Sequence, residues 1–115
     1  MKRNFRLTNS TDFKRVRRSG KSYAHPLVVL VVLPVSEEKT HFGVVAGRSV
    51  GNAVQRNRAK RMAREALRTL IPQIKPGWNV ILISRNPILK VGLSEIQEAL
   101  SQLFNKANLI NNNGS

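Results

Sequence analysis

Residues 50–68, VGNAVQRNRAKRMAREALR, read as one helix that carries six Lys or Arg between Arg56 and Arg68 against a single acid, Glu65. At about 100° per residue, Ala59, Met62, Ala63, Ala66, Leu67 and Leu70 gather on one side. Arg56, Lys60, Arg64 and Arg68, at successive i+4 steps, form a ridge that drifts around the other. Asn57 and Arg61 fall within or beside this ridge, Arg56 sits near its border and Arg58 on the far flank. So wide an apolar seam is a docking surface, and the helix is expected to lie along a sheet with its basic face turned away. Like charges at i, i+4 destabilise a helix by roughly 0.2–0.5 kcal/mol per pair, so the ridge costs on the order of 1 kcal/mol. Folding alone does not account for that arrangement. Phosphates reverse its sign: each Lys or Arg facing one adds attraction and releases counterion, and Arg binds phosphate oxygens bidentately. Asn57 can donate and accept at a base or ribose edge.

Outward from this helix, Asn52 with Gln55 three residues on reads as a capping box, and the helix is expected to run to about Ile71, before Pro72. Gly47 and Gly51 give the chain a flexible approach to it. Upstream, SYAHPLVVLVVLPV (22–35) is a nearly continuous β-branched apolar run, the mark of a strand covered on both faces. SEEKT is a polar turn, and HFGVVAGR reads as a partner strand, antiparallel to the first through that short connection. TNSTDFKRVRRSG (8–20) reads as a short helix capped by Thr8 or Ser10, with Asp12 in its first turn and Gly20 at its end. Leu7, Phe13 and Val16 supply its buried side, leaving Lys14, Arg15, Arg17 and Arg18 largely exposed. Downstream, WNVILIS is a second well-buried strand between the turn KPG (75–77) and the breaker RNP (85–87). Ser94 with Gln97 suggests another capping box, and Leu93, Ile96, Leu100, Leu103, Phe104 and Ala107 fall at helical spacing as the buried side of a last helix. The expected order is α-β-β-α-β-α, an α+β (α/β sandwich) fold with helices on one face of a small sheet. Residues 1–110 are expected to form one domain and 111–115, NNNGS, a disordered tail.

The 115 residues hold twenty Lys+Arg against six Asp+Glu, a formal net charge of +14. Such imbalance opposes compaction and answers to a polyanionic partner. Eight of the twenty lie in residues 1–21 and seven in 48–68, the clustered footprint of nucleic-acid binding. There is no Cys, so disulfides and thiolate metal sites are excluded. The basic opening is not followed by an apolar signal region, and the longest apolar run, Leu27 to Val35, is too short to span a bilayer. A cytoplasmic protein is expected, with no membrane partner. Neither a helix-turn-helix nor a zipper accompanies the basic helix, so DNA is not the expected partner. His25 and His41 have no ligand-spaced companion, the six carboxylates are scattered, and no Ser or Thr has a base partner in view. The chain by itself lacks a catalytic constellation.

GNAVQRNRAKRMARE (51–65) resembles the signature of the bacterial ribonuclease P protein subunit, whose core is Arg-Asn-Arg-x-x-Lys-Arg; Arg56, Asn57, Arg58, Lys60 and Arg61 match it. LTNSTDFKRVRRSG resembles that family's first helix, and the resemblance covers roughly residues 5–107. It implies a small protein that joins a large catalytic RNA and helps remove the 5′ leader of precursor tRNA. The RNA supplies the active-site magnesium ions, and the protein itself binds no cofactor and has no catalytic residue. The implied fold has a left-handed β-α-β crossover, as in the ribosomal protein S5 domain 2-like fold, against the usual right-handed rule. The implied RNA-binding residues are Arg48, Asn52, Arg56, Asn57, Arg58, Lys60, Arg61, Arg64 and Arg68, with Arg48 where relatives usually carry Lys. The leader cleft maps onto Phe13, Lys14, Arg17 and Val31. Arg17 and Val31 stand at often-aromatic positions, so the leader is expected to be held more by charge than by stacking. For Phe13 alone, its i+3 relation to Val16 favours a core role, which a cleft wall would not contradict. The competing function is a structural RNA-binding protein, such as a ribosomal component or assembly factor.

Overall fold

The computed structural model describes residues 6, 7, 9–36 and 38–110. Along the chain it forms α1 (Ser10–Ser19), β1 (Lys21–Ala24), β2 (Val28–Pro34), β3 (His41–Ala46), α2 (Ala53–Arg68), β4 (Trp78–Ser84) and α3 (Leu93–Lys106). Short 3-10 turns lie at Arg48–Val50, Ile71–Gln73 and Asn86–Lys90. The order is thus α-β-β-β-α-β-α, one strand more than the sequence suggested. The long run from Ser22 breaks at His25-Pro26, where the Leu27 N–H donates to His25 Nδ1 (3.1 Å) and the chain folds back as a β1–β2 hairpin.

The four strands lie in the order β1-β2-β4-β3. β4 runs antiparallel to β2, from Val28↔Ser84 to Pro34↔Trp78, and parallel to β3, from His41↔Asn79 to Ala46↔Ser84. This corrects the expected β2–β3 hairpin: the two strands are not neighbours. Both β2 and β4 are nearly continuous apolar runs, and each needs a strand on either side and a covered surface above and below. Putting β4 between β2 and β3 satisfies both, and leaves the shorter β1 and the glycine-bearing β3 as edges. α2 is the crossover that parallel neighbours require.

Strand alternation divides the core in two. Val28, Leu30, Val32, Phe42, Val44, Val80 and Leu82 point to one face, where α2 and α3 cover them. Val31 and Ile81 point to the other, where they meet Val16 of α1 and Leu7. Helices therefore cover both faces rather than one. Ala59, Ala63 and Ala66, all fully buried, bring the α2 backbone close to the sheet.

Cap chemistry sets the helix ends. For α2 the expected capping box is present: Gln55 N–H donates to Asn52 Oδ1 (2.9 Å) and Asn52 N–H to Gln55 Oε1 (2.8 Å). Gly51, at φ 146°, adopts a conformation closed to other residues, and a Cβ there would collide with the Gln55 side chain. α2 ends at Arg68, before the expected Ile71. Thr69 caps it and a 3-10 turn carries the chain into Pro72. α1 is capped by Asn9, whose Oδ1 accepts from Thr11 N–H (2.8 Å); Ser10 is already helical, and Thr8 lies outside the described residues. The Ser94–Gln97 box does not form. α3 begins at Leu93 after Gly92, and Gln97 Nε2 instead donates to Thr69 Oγ1 (3.3 Å), tying α3 to the end of α2. After α3, Asn108 turns through φ 59° and the chain returns to pair Ile110 with Ile74. Residues 111–115 lie outside the described residues.

Candidate nucleic-acid interface

The ridge of α2 does not face away from the sheet, as its helical wheel suggested; it borders the sheet's edge. Arg56, Lys60 and Arg64 are half-buried beside β3. Arg56, Asn57 and Lys60 form a hollow of about 190 Å³ with Ala46, at the end of the strand. Two turns on from Arg56, Arg64 shares a hollow of about 220 Å³ with Phe42, Gly43 and Val44, nearer its start. A row of three cations thus runs along the outer edge of β3. Asn57, Arg58 and Arg61 are exposed further round the helix, and Arg48 is exposed in the 3-10 turn just after β3. Among the described residues the salt bridges are Asp12–Arg15 and Glu65–Arg68. Arg68 is therefore tied to the helix's own acid, which sets it apart from the other members of the ridge. Asn52 spends its side-chain oxygen on the cap, leaving its amide group for any further contact.

The other face of the sheet places the second set of expected residues. The strand register aligns three rows of side chains across β2, β4 and β3: Val29–Ile83–Val45, Val31–Ile81–Gly43 and Leu33–Asn79–His41. α1 lies over the middle row. Phe13 rests on Gly43, where a Cβ would collide with the Cζ edge of its ring, and Val16 is fully buried against Val31 and Ile81. The same close approach acts at Gly20, where a Cβ would come within 2.9 Å of Val31 Cγ1. The first row stays half-buried, an apolar floor. Asp12 and Arg15 flank the Leu33 side of α1. Lys14 and Arg17, exposed on the opposite flank of the helix, therefore stand beside the apolar floor.

Val31 does not join them. Only 3 % exposed and pinned beneath α1, it has no surface to offer a strand of nucleic acid, and its part is to hold the helix down. Phe13 serves both readings, since one side of the ring packs on Gly43 and the residue lines the same hollow as Arg64. Sequence reasoning missed Gly43, Arg6 and Arg85. A glycine inside an apolar strand was the available signal for a close approach. Arg6 pairs with Phe42 on the free edge of β3, anchored by Leu7 N–H donating to the Phe42 carbonyl (2.8 Å), and lines the hollow with Phe13. Arg85 is exposed directly after β4, as Arg48 is after β3. Among the described residues, no group of three or more His, Asp or Glu is placed to hold a metal ion, and no helix is long and apolar enough to cross a membrane.

An α+β sheet bordered by a cationic helix that carries a single acid, Glu65, defines a nucleic-acid-binding protein. The ribonuclease P family model matches residues 1–108. The ribonuclease P protein component of Herpetosiphon aurantiacus is 44 % identical over 109 residues, 95 % of this chain and 89 % of that protein. That of Dehalococcoides mccartyi is 37 % identical, covering 96 % and 90 %. Among solved structures, the RNase P protein of Staphylococcus aureus superposes with a TM-score of 0.80 at 27 % identity, covering 93 % of this chain and 98 % of that one. The Thermotoga maritima RNase P protein gives 0.74 at 27 %, covering 85 % and 94 %. The chain belongs to the bacterial ribonuclease P protein component family. It is a protein subunit of the endoribonuclease ribonuclease P, which processes the 5′ end of precursor tRNA.

Proposed function

We propose that the two surfaces divide the work of this subunit between two RNAs. The α2 face (Arg56, Asn57, Arg58, Lys60, Arg61 and Arg64, with Arg48 and the Asn52 amide at its start) binds the ribonuclease P RNA. The α1 groove (Phe13, Lys14 and Arg17 above the apolar floor) holds the single-stranded 5′ leader of precursor tRNA. The protein then acts in the cytoplasm by position and charge. It neutralises phosphates, favours the folded RNA, and prefers precursor over mature tRNA because only the precursor has a leader to hold. The bond broken is one phosphodiester, hydrolysed with magnesium supplied at the RNA's own site, and no step is assigned to a protein side chain. The observation that carries this reading is the row Arg56–Lys60–Arg64 along the β3 edge, without an acid partner among the described residues.

Reconstitution tests it. With a bacterial ribonuclease P RNA, the protein should restore precursor cleavage at a magnesium concentration where the RNA alone is nearly inactive. Shortening the leader to one nucleotide should remove most of the protein's contribution to substrate affinity. Full stimulation without leader dependence would sink the groove assignment. No stimulation at all would favour a purely structural RNA-binding role.

A further inference from the structure

α1 crosses the sheet over its middle row and leaves a trough on each side. One is the apolar groove described above. The other lies at the opposite ends of the strands, and its floor is the row Leu33–Asn79–His41. It opens into a cavity of about 430 Å³, within the range that holds small organic ligands. Arg6 and Arg15 stand at its rim against one acid, Asp12, which Arg15 already approaches at 3.7 Å. Leu7, Leu33, Pro34 and Val35 supply apolar wall.

At the centre of the floor is Asn79, 6 % exposed, in a strand otherwise built of Val, Ile, Leu and Trp up to Ser84. Its amide is the lone polar side chain of that strand before Ser84, and it lines the cavity between the cross-strand neighbours Leu33 and His41. An amide can donate and accept at once, as the edge of a nucleobase does.

We propose that this second trough is a binding subsite for one nucleoside phosphate unit, distinct from the α2 face and the α1 groove. Asn79 reads the base edge, the Leu33–Val35 segment covers the base, and Arg6 and Arg15 take the phosphate. The unit is either an unpaired nucleotide of a bound RNA or a free nucleotide. Only the first source rests on the RNA-binding reading above.

The test is a side-chain amide NMR titration of the full chain with each of the four nucleoside 5′-monophosphates, and with inorganic phosphate as a separate probe. The monophosphates should shift the Asn79 amide and His41, with at least one base preferred. Inorganic phosphate alone should leave Asn79 unmoved. Asn79→Leu should abolish the binding while leaving the midpoint of urea unfolding no lower, a combination that a purely structural asparagine would not give. Arg15→Ala, at an exposed position, should weaken binding roughly tenfold or more. Displacement of the monophosphate by a short single-stranded oligoribonucleotide assigns the subsite to RNA, and lack of displacement assigns it to free nucleotide; either keeps it. Monophosphates that leave Asn79 unmoved, or that bind Asn79→Leu as well as wild type, overturn it. The triple variant Arg56→Ala, Arg58→Ala, Lys60→Ala separates this outcome from the first proposal, because it removes the α2 face and leaves the trough intact.

Discussion

At the scale of single residues, two contacts make sharp claims. Gly43 and Phe13 occupy one volume between them, so Gly43→Val forces the ring off the sheet. Overpacking of this kind costs about 1–3 kcal/mol, which urea unfolding will show as a lower midpoint at unchanged slope. Phe13→Leu should be milder, because volume-conserving apolar swaps cost under about 1.5 kcal/mol. The second contact is Glu65–Arg68. Arg64 and Arg68 are both on the ridge, yet only Arg68 has an acid at hand. Arg64→Ala should therefore lower the slope of log affinity against log salt by about 0.7–0.9, the loss of one phosphate contact. Arg68→Ala should change it less. Equal slopes would mean that the pairing does not persist when RNA binds. The second contact was not legible beforehand: Glu65 is three residues from Arg68 and four from Arg61, and the helical wheel allowed either partner.

Elements were easier to read than their neighbours in space. α2 declared itself through period and cap, and its capping box is where Asn52 and Gln55 placed it. The box gives a direct prediction: Asn52→Ala removes an N-cap acceptor and should cost roughly 1 kcal/mol, read as a drop in the melting temperature, while Asn52→Ser should largely preserve stability. The wrong box, Ser94–Gln97, had the same sequence form. What decided between them was tertiary: Gln97 meets Thr69 of another helix, a contact no local pattern encodes. The sheet shows the same division. Local turn chemistry favoured pairing β2 with β3, but the apolar character of β4 demanded an interior place. That demand was present in WNVILIS and was read as burial without being carried into strand order. β1 escaped notice because Pro26 interrupts a run whose composition is otherwise uniform.

For the whole molecule, the dominant fact is charge. Twenty cations against six acids on one small chain repel one another across a surface whose two described ion pairs involve only two of them. Salt within a Debye length of about 10 Å at 0.1 M screens that repulsion, so the free protein should grow more stable as ionic strength rises. The same ions compete with phosphates, so affinity for RNA should fall over the same range. Stability of the free chain and affinity for its partner are thus expected to have opposite salt dependences. A polyvalent anion that binds the folded cationic surfaces should act more strongly than screening alone. It stabilises by mass action, about 2.7 kcal/mol at a hundred times its dissociation constant. Thermal unfolding in sodium chloride and in sodium sulfate at matched ionic strength separates the two effects. A larger rise in melting temperature with sulfate, reduced in the triple variant of Arg56, Arg58 and Lys60, locates the bound anion on α2. Equal curves in the two salts would mean that the charge acts only as a diffuse field, and that the ridge along β3 is not organised to grip phosphate.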